Sequence, residues 1–355
     1  MTVKKILMMP DYRASNPYQA LLAQELRSPS LEVTFYQGYR RIFPLSRAIA
    51  DNSADILHLH WLTPYLKGKT WLTSLIYSLK LLIDLWLLRL QGIKIVWTIH
   101  NHLAHNCQFP RLELWLRKNI LHLADEAIVH NHSSFNSLAP LLSLKNPQKN
   151  SKLNIIPHGN YRQIYQPAIS KIEARQQLNL HTTGNLYLNL GKIRPYKGIE
   201  QLLQIWQQNK TFLADATLLI AGEPIDAEYG AKISALTAKS TRAILQTDFI
   251  PTARMHLYFS AADVVVLPFN SILTSGSLML AMSYNKPIIA PRIGGIPETL
   301  ETADSLLYEP SDRDGLLKAL EASSQIDLAE LSARVGQISD RLNWKEIAQA
   351  TGKLY

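Results

Sequence analysis

Two stretches of the 355-residue chain could hold an anion. In "GKIRPYKGIEQLL" a glycine permits a tight turn, Arg194 and Lys197 project where a helix begins, and Lys192 precedes them. Arginine presents a fork of donors and lysine a point charge to phosphate oxygens, and a helix N-terminus adds its dipole and free N–H groups. In "FNSILTSGSLMLAMSYNKPIIAPRIGGIPE" the small residues Thr274, Ser275, Gly276 and Ser277 lead into a short helix that carries no acid. The main-chain N–H groups of residues 275–278 suit phosphate oxygens there. Two such cradles suit a diphosphate. A third group is imidazole: His58, His60, His100, His102, His130, His132 and His158 lie on strands or in the loops after them. Imidazole serves hydroxyls, phosphates and proton transfer near neutral pH. "HLH" puts His58 and His60 on one side of a strand. Without HExxH or a cysteine partner set, no metal site is expected.

These residues need strands to carry them. Apolar runs recur as "KKILMMP", "LEVTFYQG", "ADILHLHW", "KIVWTIHN", "DEAIVHN" and "KLNIIPHG", with helical stretches between several of them. A second series follows from near residue 185: "NLYLNLGKI", "ATLLIAGEP", "AILQTDFI", "DVVVLPF", "KPIIAP" and "SLLYEPSD", again alternating with helices. Asn16 caps the first helix, with Pro17 at its first position. Alternation of this kind predicts two consecutive parallel, doubly wound α/β units with the boundary near Tyr161 to Ala174. Open parallel sheets bind ligands at the carboxyl ends of their strands, so two of them imply a cleft lined by the loops named above.

Length agrees with two domains. A chain with 47% hydrophobic and 18% charged residues is globular rather than disordered. Its formal charge of +9 fits anionic partners, but the basic residues are scattered and no nucleic-acid motif is visible. Cys107 is the one cysteine, so no internal disulfide can form. The N-terminal apolar run is too short for a signal peptide and reads as a strand. One stretch, "TWLTSLIYSLKLLIDLWLLRL", has the length of a bilayer span, yet Lys80, Asp84 and Arg89 interrupt it. It reads either as an in-plane helix at a membrane surface, with Trp71, Tyr77 and Trp86 at headgroup level, or as a core helix.

The ordered stretches "LNLGKIRPYKGIEQLL", "LLIAGEP", "FSAADVVVLPF", "AMSYNKPIIAPRIGGIPE" and "SLLYEPSDRDGLLKAL" resemble the donor-binding half of glycosyltransferases with the GT-B fold. "DILHLHW", "VWTIHN" and "IIPHGNY" resemble the first half, and the pattern is that of the large group around glycosyltransferase family 4. The resemblance implies two Rossmann-like domains facing a central cleft: an acceptor-binding domain over residues 1–165 and a nucleotide-sugar-binding domain over 166–335. A C-terminal helix, 336–355, would pack back on the first domain. That group usually carries two glutamates eight positions apart; here Ile272 and Leu280 stand in their places. The departure argues against a retaining mechanism. The "TSGS" loop is similar to inverting enzymes that make β-mannosyl linkages in bacterial exopolysaccharide assembly.

The implied reaction moves a hexose, mannose from GDP-mannose, to a polyprenyl-diphosphate-linked or other lipid-linked saccharide. The implied place is the cytoplasmic face of an anionic membrane, with no cofactor or metal. Lys192, Arg194, Lys197 and the Thr274–Ser277 loop would stabilise the departing diphosphate. Glu223 and Glu298 would lie near the nucleotide. Asp11 is the leading base, with His100 and His102 next; His100 has a second role open to it, a contact with the donor sugar. Tyr12, Arg13, Asn16 and Tyr18 would shape the acceptor site. A retaining transferase, a sugar-nucleotide epimerase or hydrolase, and a non-catalytic nucleotide-binding partner remain as alternatives.

Overall fold

The computed structural model describes residues 3–14, 16–36, 42–66, 68–101, 103, 107–141, 152–209 and 215–355. The chain divides into two units. Unit 1 comprises Met1–Gly159 with Asn343–Tyr355, and unit 2 comprises Asn160–Leu342. The division therefore falls at residue 159 rather than 165, and the return at 343 rather than 336. The last segment is two helices, Leu328–Arg341 in unit 2 and Trp344–Gly352 in unit 1. Asn343 separates them because its side chain caps the second helix, accepting from Glu346 N–H.

In unit 1 the strands are β1 (Lys4–Met9), β2 (Leu31–Phe35), β3 (Ile56–Leu59), β4 (Lys94–Thr98), β5 (Glu126–Val129) and β6 (Leu153–Ile155). They form one sheet in the order β2-β1-β3-β4-β5-β6, and every pair is parallel. Unit 2 has β7 (Leu186–Leu190), β8 (Thr217–Ala221), β9 (Ala243–Gln246), β10 (Val264–Val266), β11 (Ile288–Pro291) and β12 (Leu307–Tyr308). Its order is β12-β11-β10-β7-β8-β9, again all parallel. The two α/β sheets are those the alternating runs require. Their central strands are buried on both faces, which is why they read as unbroken apolar runs. Strand order reverses between β1 and β3 in unit 1 and between β7 and β10 in unit 2. Ligands of open sheets bind beside such switch points.

The first helix spans Tyr18–Leu26 and begins one residue later than the sequence implies: Pro17 is its N-cap, and Asn16 Oδ1 accepts from Tyr18 N–H at 3.0 Å. The Trp71–Leu90 helix combines both sequence readings. Ser74, Ser78, Leu81, Asp84, Leu85 and Leu88 are buried against unit 1, while Leu72, Ile76, Leu79, Ile83, Trp86 and Leu90 are exposed. The exposed set recurs at alternating steps of four and three, so it forms one apolar stripe. Among the described residues this is the one helix long and apolar enough to cross a membrane.

Two of its three interrupting charges, Asp84 and Arg89, serve the fold. Asp84 accepts from Leu45 N–H at 2.7 Å, from Ser46 N–H at 3.0 Å and from the Ser46 hydroxyl, so it caps the Pro44–Asn52 helix from outside. Arg89 donates to Leu123 O at 3.0 Å, at the end of the Pro110–Leu123 helix. Asp84→Ala would leave three donors without their acceptor in the interior. Chemical denaturation is expected to show a loss of about 2 kcal/mol.

Candidate active site

In unit 2 the loops after β7, β8 and β10 are joined. Ile193 N–H donates to Glu223 O at 2.9 Å, and Ile225 N–H returns to Ile193 O at 3.0 Å. Asn270 N–H donates to Tyr196 O at 2.8 Å, and its side chain to Pro195 O at 3.2 Å. These bonds hold the turn bearing Arg194 and Lys197 against the loop that leads to the Gly276–Ser283 helix. Lys197 is buried, with Nζ 3.5 Å from both Leu190 O and Ser277 Oγ. A Cβ on Gly191, whose φ is +114°, would lie 2.9 Å from that ammonium, so a side chain there would occupy its place.

The two basic residues that the sequence singled out come together with Ser277. Among the described residues neither Lys197 nor Arg194 has an ion-pair partner, and Arg194 Nε is buried without a hydrogen bond. Burial, aided by the charge of Arg194, pulls the Lys197 ammonium down to about 8. Two unneutralised cations at the switch point of a sheet are costly to the free protein and complementary to an anion.

The helix N-terminus differs in one respect from the expectation. Ser275 is its N-cap: Ser275 Oγ accepts from Leu278 N–H at 3.1 Å and Ser275 O from Met279 N–H at 3.1 Å. Ser275 Oγ takes the Leu278 N–H, which leaves the first-turn N–H groups of Gly276 and Ser277 as those an anion would use. Thr274 is half-buried and precedes the cap. Tyr161, which the sequence reading passed over, stands with its hydroxyl 3.6 Å from the place of a Gly276 Cβ. Lys192 and Glu223 are exposed on the same joined loops. Glu298 is exposed in the first turn of the Ile296–Leu300 helix. The turn before that helix packs on the Ile272–Leu273 loop, where a Cβ on Gly294 would meet Ile272 O at 2.2 Å. Ile272 and Leu280, the glutamate positions, are both half-buried.

In unit 1 the carboxyl ends of β3, β4, β5 and β6 bring histidines together. His58 and His60 do share a face, with rings stacked at 4.3 Å. Continuing the Thr98↔Ile128 register by two residues sets His100 beside His130. His60 Nδ1 lies 3.2 Å from His100 Nε2, His100 Nδ1 lies 3.4 Å from His130 Nε2, and His130 Nδ1 lies 3.0 Å from Ile156 O. His58 joins Tyr355 Oη at 2.6 Å and Thr98 Oγ1 at 2.8 Å, and His158 Nδ1 donates to Gly159 O at 2.8 Å. Burial lowers all five: His58 and His158 to about 3, His130 to about 4, and His60 and His100 well below the ordinary imidazole value. Among the described residues no group of three or more His, Cys, Asp or Glu is arranged to hold a metal.

Several sequence assignments change here. His100 has both ring nitrogens in this chain and is buried, so it is not placed as a base. His102 lies outside the described residues. Tyr18 is 1% exposed and sits edge-on to His100 at 4.9 Å, to His158 at 4.9 Å and to Trp344 at 5.1 Å. It belongs to the core under the loops, not to an acceptor surface. Asp11 and Arg13, read separately from the sequence, are a bidentate pair at 2.9 and 3.0 Å, with the guanidinium 3.8 Å over the Phe35 ring. Tyr12 stands edge-on to Trp61 at 5.3 Å, and Trp61 stacks on His100 at 4.1 Å and 10°. Trp61 was missed; its position straight after "HLH" was the available signal.

Residues 184–324 match the family model described as "Glycosyl transferases group 1". A curated relative, the GDP-mannose:glycolipid 4-beta-D-mannosyltransferase of Xanthomonas campestris pv. campestris, is 25% identical over 320 residues, covering 88% of this chain and 84% of that protein. Among solved structures, sucrose-phosphate synthase from Thermosynechococcus elongatus superposes with a TM-score of 0.75 at 20% identity, covering 99% of this chain and 98% of that one. Anabaena HepE, in complex with UDP and glucose, superposes with a TM-score of 0.71 at 15% identity and 99% and 98% coverage. The chain is a glycosyltransferase of the GT-B fold that carries a group 1 glycosyl transferase domain over residues 184–324.

Proposed function

We propose that the protein transfers mannose from GDP-mannose, with inversion, to a lipid-linked saccharide in exopolysaccharide or glycolipid synthesis. Transfer takes place at the cytoplasmic face of a membrane. The observation that carries this reading is the pair of unneutralised cations, Arg194 and Lys197, with Lys197 Nζ 3.5 Å from Ser277 Oγ. A departing nucleoside diphosphate gains negative charge as the glycosidic bond breaks, and fixed cations with helix N–H groups stabilise that charge without a metal. Apolar residues at 272 and 280 support inversion, because a retaining enzyme of this pattern carries carboxylates there. The named donor and glycolipid acceptor of the Xanthomonas relative support the choice of substrates.

Unit 1 takes the acceptor. Asp11 removes its proton. Arg13 pairs with that carboxylate on both oxygens, so Asp11 must give up one of those bonds to take a proton and the reaction leans on leaving-group stabilisation. The test is incubation with GDP-mannose and a polyprenyl-diphosphate-linked oligosaccharide in the presence of a chelator. A β-mannoside, identified by the one-bond C–H coupling at its new anomeric carbon, is expected. An α-mannoside, or turnover that stops with the chelator, would overturn the reading.

The exposed stripe of the Trp71–Leu90 helix supports membrane attachment, with Trp71, Tyr77 and Trp86 each exposed for the headgroup zone. Ile76→Asp with Ile83→Asp removes two exposed apolar side chains from that stripe without touching its buried face. Binding to anionic vesicles, measured by sedimentation, is expected to fall roughly tenfold or more. Unchanged binding would reject the attachment.

A further inference from the structure

The histidine chain of unit 1 has a direction. Ile156 O can only accept, so His130 Nδ1 carries the proton and, in a neutral ring, His130 Nε2 is bare. His100 Nδ1 must then donate to it, which leaves His100 Nε2 bare. His60 Nδ1 must donate to that atom in turn, which leaves His60 Nε2 as a lone pair. His60 is 1% exposed, and this Nε2 has no hydrogen-bond partner among the described residues. One carbonyl thus sets three tautomers in series and ends them on an unmatched acceptor. Burial of every ring keeps the series neutral, as the set of directions requires.

The open atom is well placed. His60 follows β3, beside the switch point between β1 and β3. Its surroundings are ring faces and edges: Tyr18 at 5.8 Å, His58 at 4.3 Å and Trp61 at 5.8 Å. Trp61 is half-buried and stacks on His60 at 5.8 Å and on His100 at 4.1 Å, so it is the ring a saccharide has to displace to reach either. A lone pair among aromatic rings suits a neutral donor on an apolar frame, which is the chemistry of a sugar hydroxyl. A cation would want negative charge, and an anion would be repelled by the lone pair.

We propose that His60 Nε2 is a hydroxyl-binding point for the acceptor saccharide, and that His130 is a positioning residue that fixes it as an acceptor through His100. The proposal rests on unit 1 taking the acceptor. It is nonetheless testable without turnover, so its failure is separable from failure of that reading.

The first measurement is imidazole ¹⁵N NMR on the full-length protein with labelled histidine. His60, His100 and His130 are each expected as the Nδ1–H tautomer, against the usual preference of a free imidazole for Nε2–H. Methyl β-glucoside is the probe: it is expected to shift His60 Nε2 alone toward the value of a hydrogen-bonded acceptor. The second measurement uses His60→Asn, whose amide replaces the Nδ1–H donor and deletes the Nε2 acceptor. KM for the lipid-linked acceptor is expected to rise about tenfold, with KM for the sugar nucleotide unchanged. His130→Asn keeps the bond to Ile156 O but frees His100, and His60 should then show mixed tautomers with the same rise in acceptor KM. Finding His60 as Nε2–H in the free wild-type protein would overturn the proposal. So would a His60 Nε2 signal that ignores the glucoside, or a His60→Asn enzyme with wild-type acceptor KM.

Discussion

Acidification from pH 7.5 to 5.5 is expected to unfold unit 1. His58, His60, His100, His130 and His158 are buried and neutral in the fold, with ionisation pushed to about 3 or 4 where a value applies and well below ordinary for the other two. In the unfolded chain each titrates near 6.5. Above 6.5 neither state binds these protons and the fold has its full stability. Below 6.5 the unfolded chain takes up protons that the fold refuses, so stability falls by about 1.4 kcal/mol per histidine per pH unit. Five histidines one unit below 6.5 amount to roughly 5–7 kcal/mol, comparable with the whole stability of a domain. The readout is convenient. Trp61, Trp71, Trp86, Trp97, Trp115 and Trp344 lie in unit 1 and only Trp206 in unit 2, so intrinsic fluorescence reports unit 1. A spectrum that holds constant down to pH 4.5 would contradict the buried neutral cluster.

Lys197→Met is expected to reduce kcat/KM for the sugar nucleotide by about 10²–10³, the scale for losing one fixed donor to a developing charge. The same change is expected to raise the melting temperature of the ligand-free protein. The ammonium ionises at about 8 in the fold instead of near 10.5. Below pH 8 it is charged in both states, and the fold bears the entire cost of burying it. That cost shrinks between pH 8 and 10.5 and is gone above. Methionine removes it at neutral pH, a gain of about 3 kcal/mol before the two long 3.5 Å contacts are discounted. Wild-type kcat/KM should also decline above pH 8 as the free ammonium loses its proton. A Lys197→Met enzyme within tenfold of wild type would show that the charge plays no part in the transition state.

Much of this architecture is legible because parallel strands buried on both faces advertise themselves. "LYLNL" and "TLLIA" are continuous apolar runs, and each became a central strand. The loops that follow them were legible for the same reason, since glycine, lysine and arginine straight after such a run have few other uses. The burial of Lys197 was not, because it depends on the Asn270 loop closing over the turn from seventy-odd residues away. The histidines were visible one at a time. Their convergence comes from sheet register, which brings the ends of four separate strands to one level, and no local pattern encodes it. Asp11 and Arg13 were read as two functions because spacing does not say whether neighbours face each other. The apolar Trp71–Leu90 helix carries two stripes of equal periodicity, and only packing decides which one turns inward.

Unit 1 is interrupted in the gene order of the chain, with Asn160–Leu342 set between its two parts. Trp344 occupies the space where any side chain on residue 159 would sit, and Tyr355 supplies the hydroxyl beside His58. On the ribosome the part of unit 1 before residue 160 therefore waits for the part after residue 342, while the inserted unit emerges whole and closes first. This reverses the usual order of co-translational folding. The nascent N-terminal part spends that interval with its histidine face open, which makes it the part of the newborn protein most dependent on chaperones. For the same reason a fragment of residues 160–342 should be easier to produce separately than one ending at residue 159.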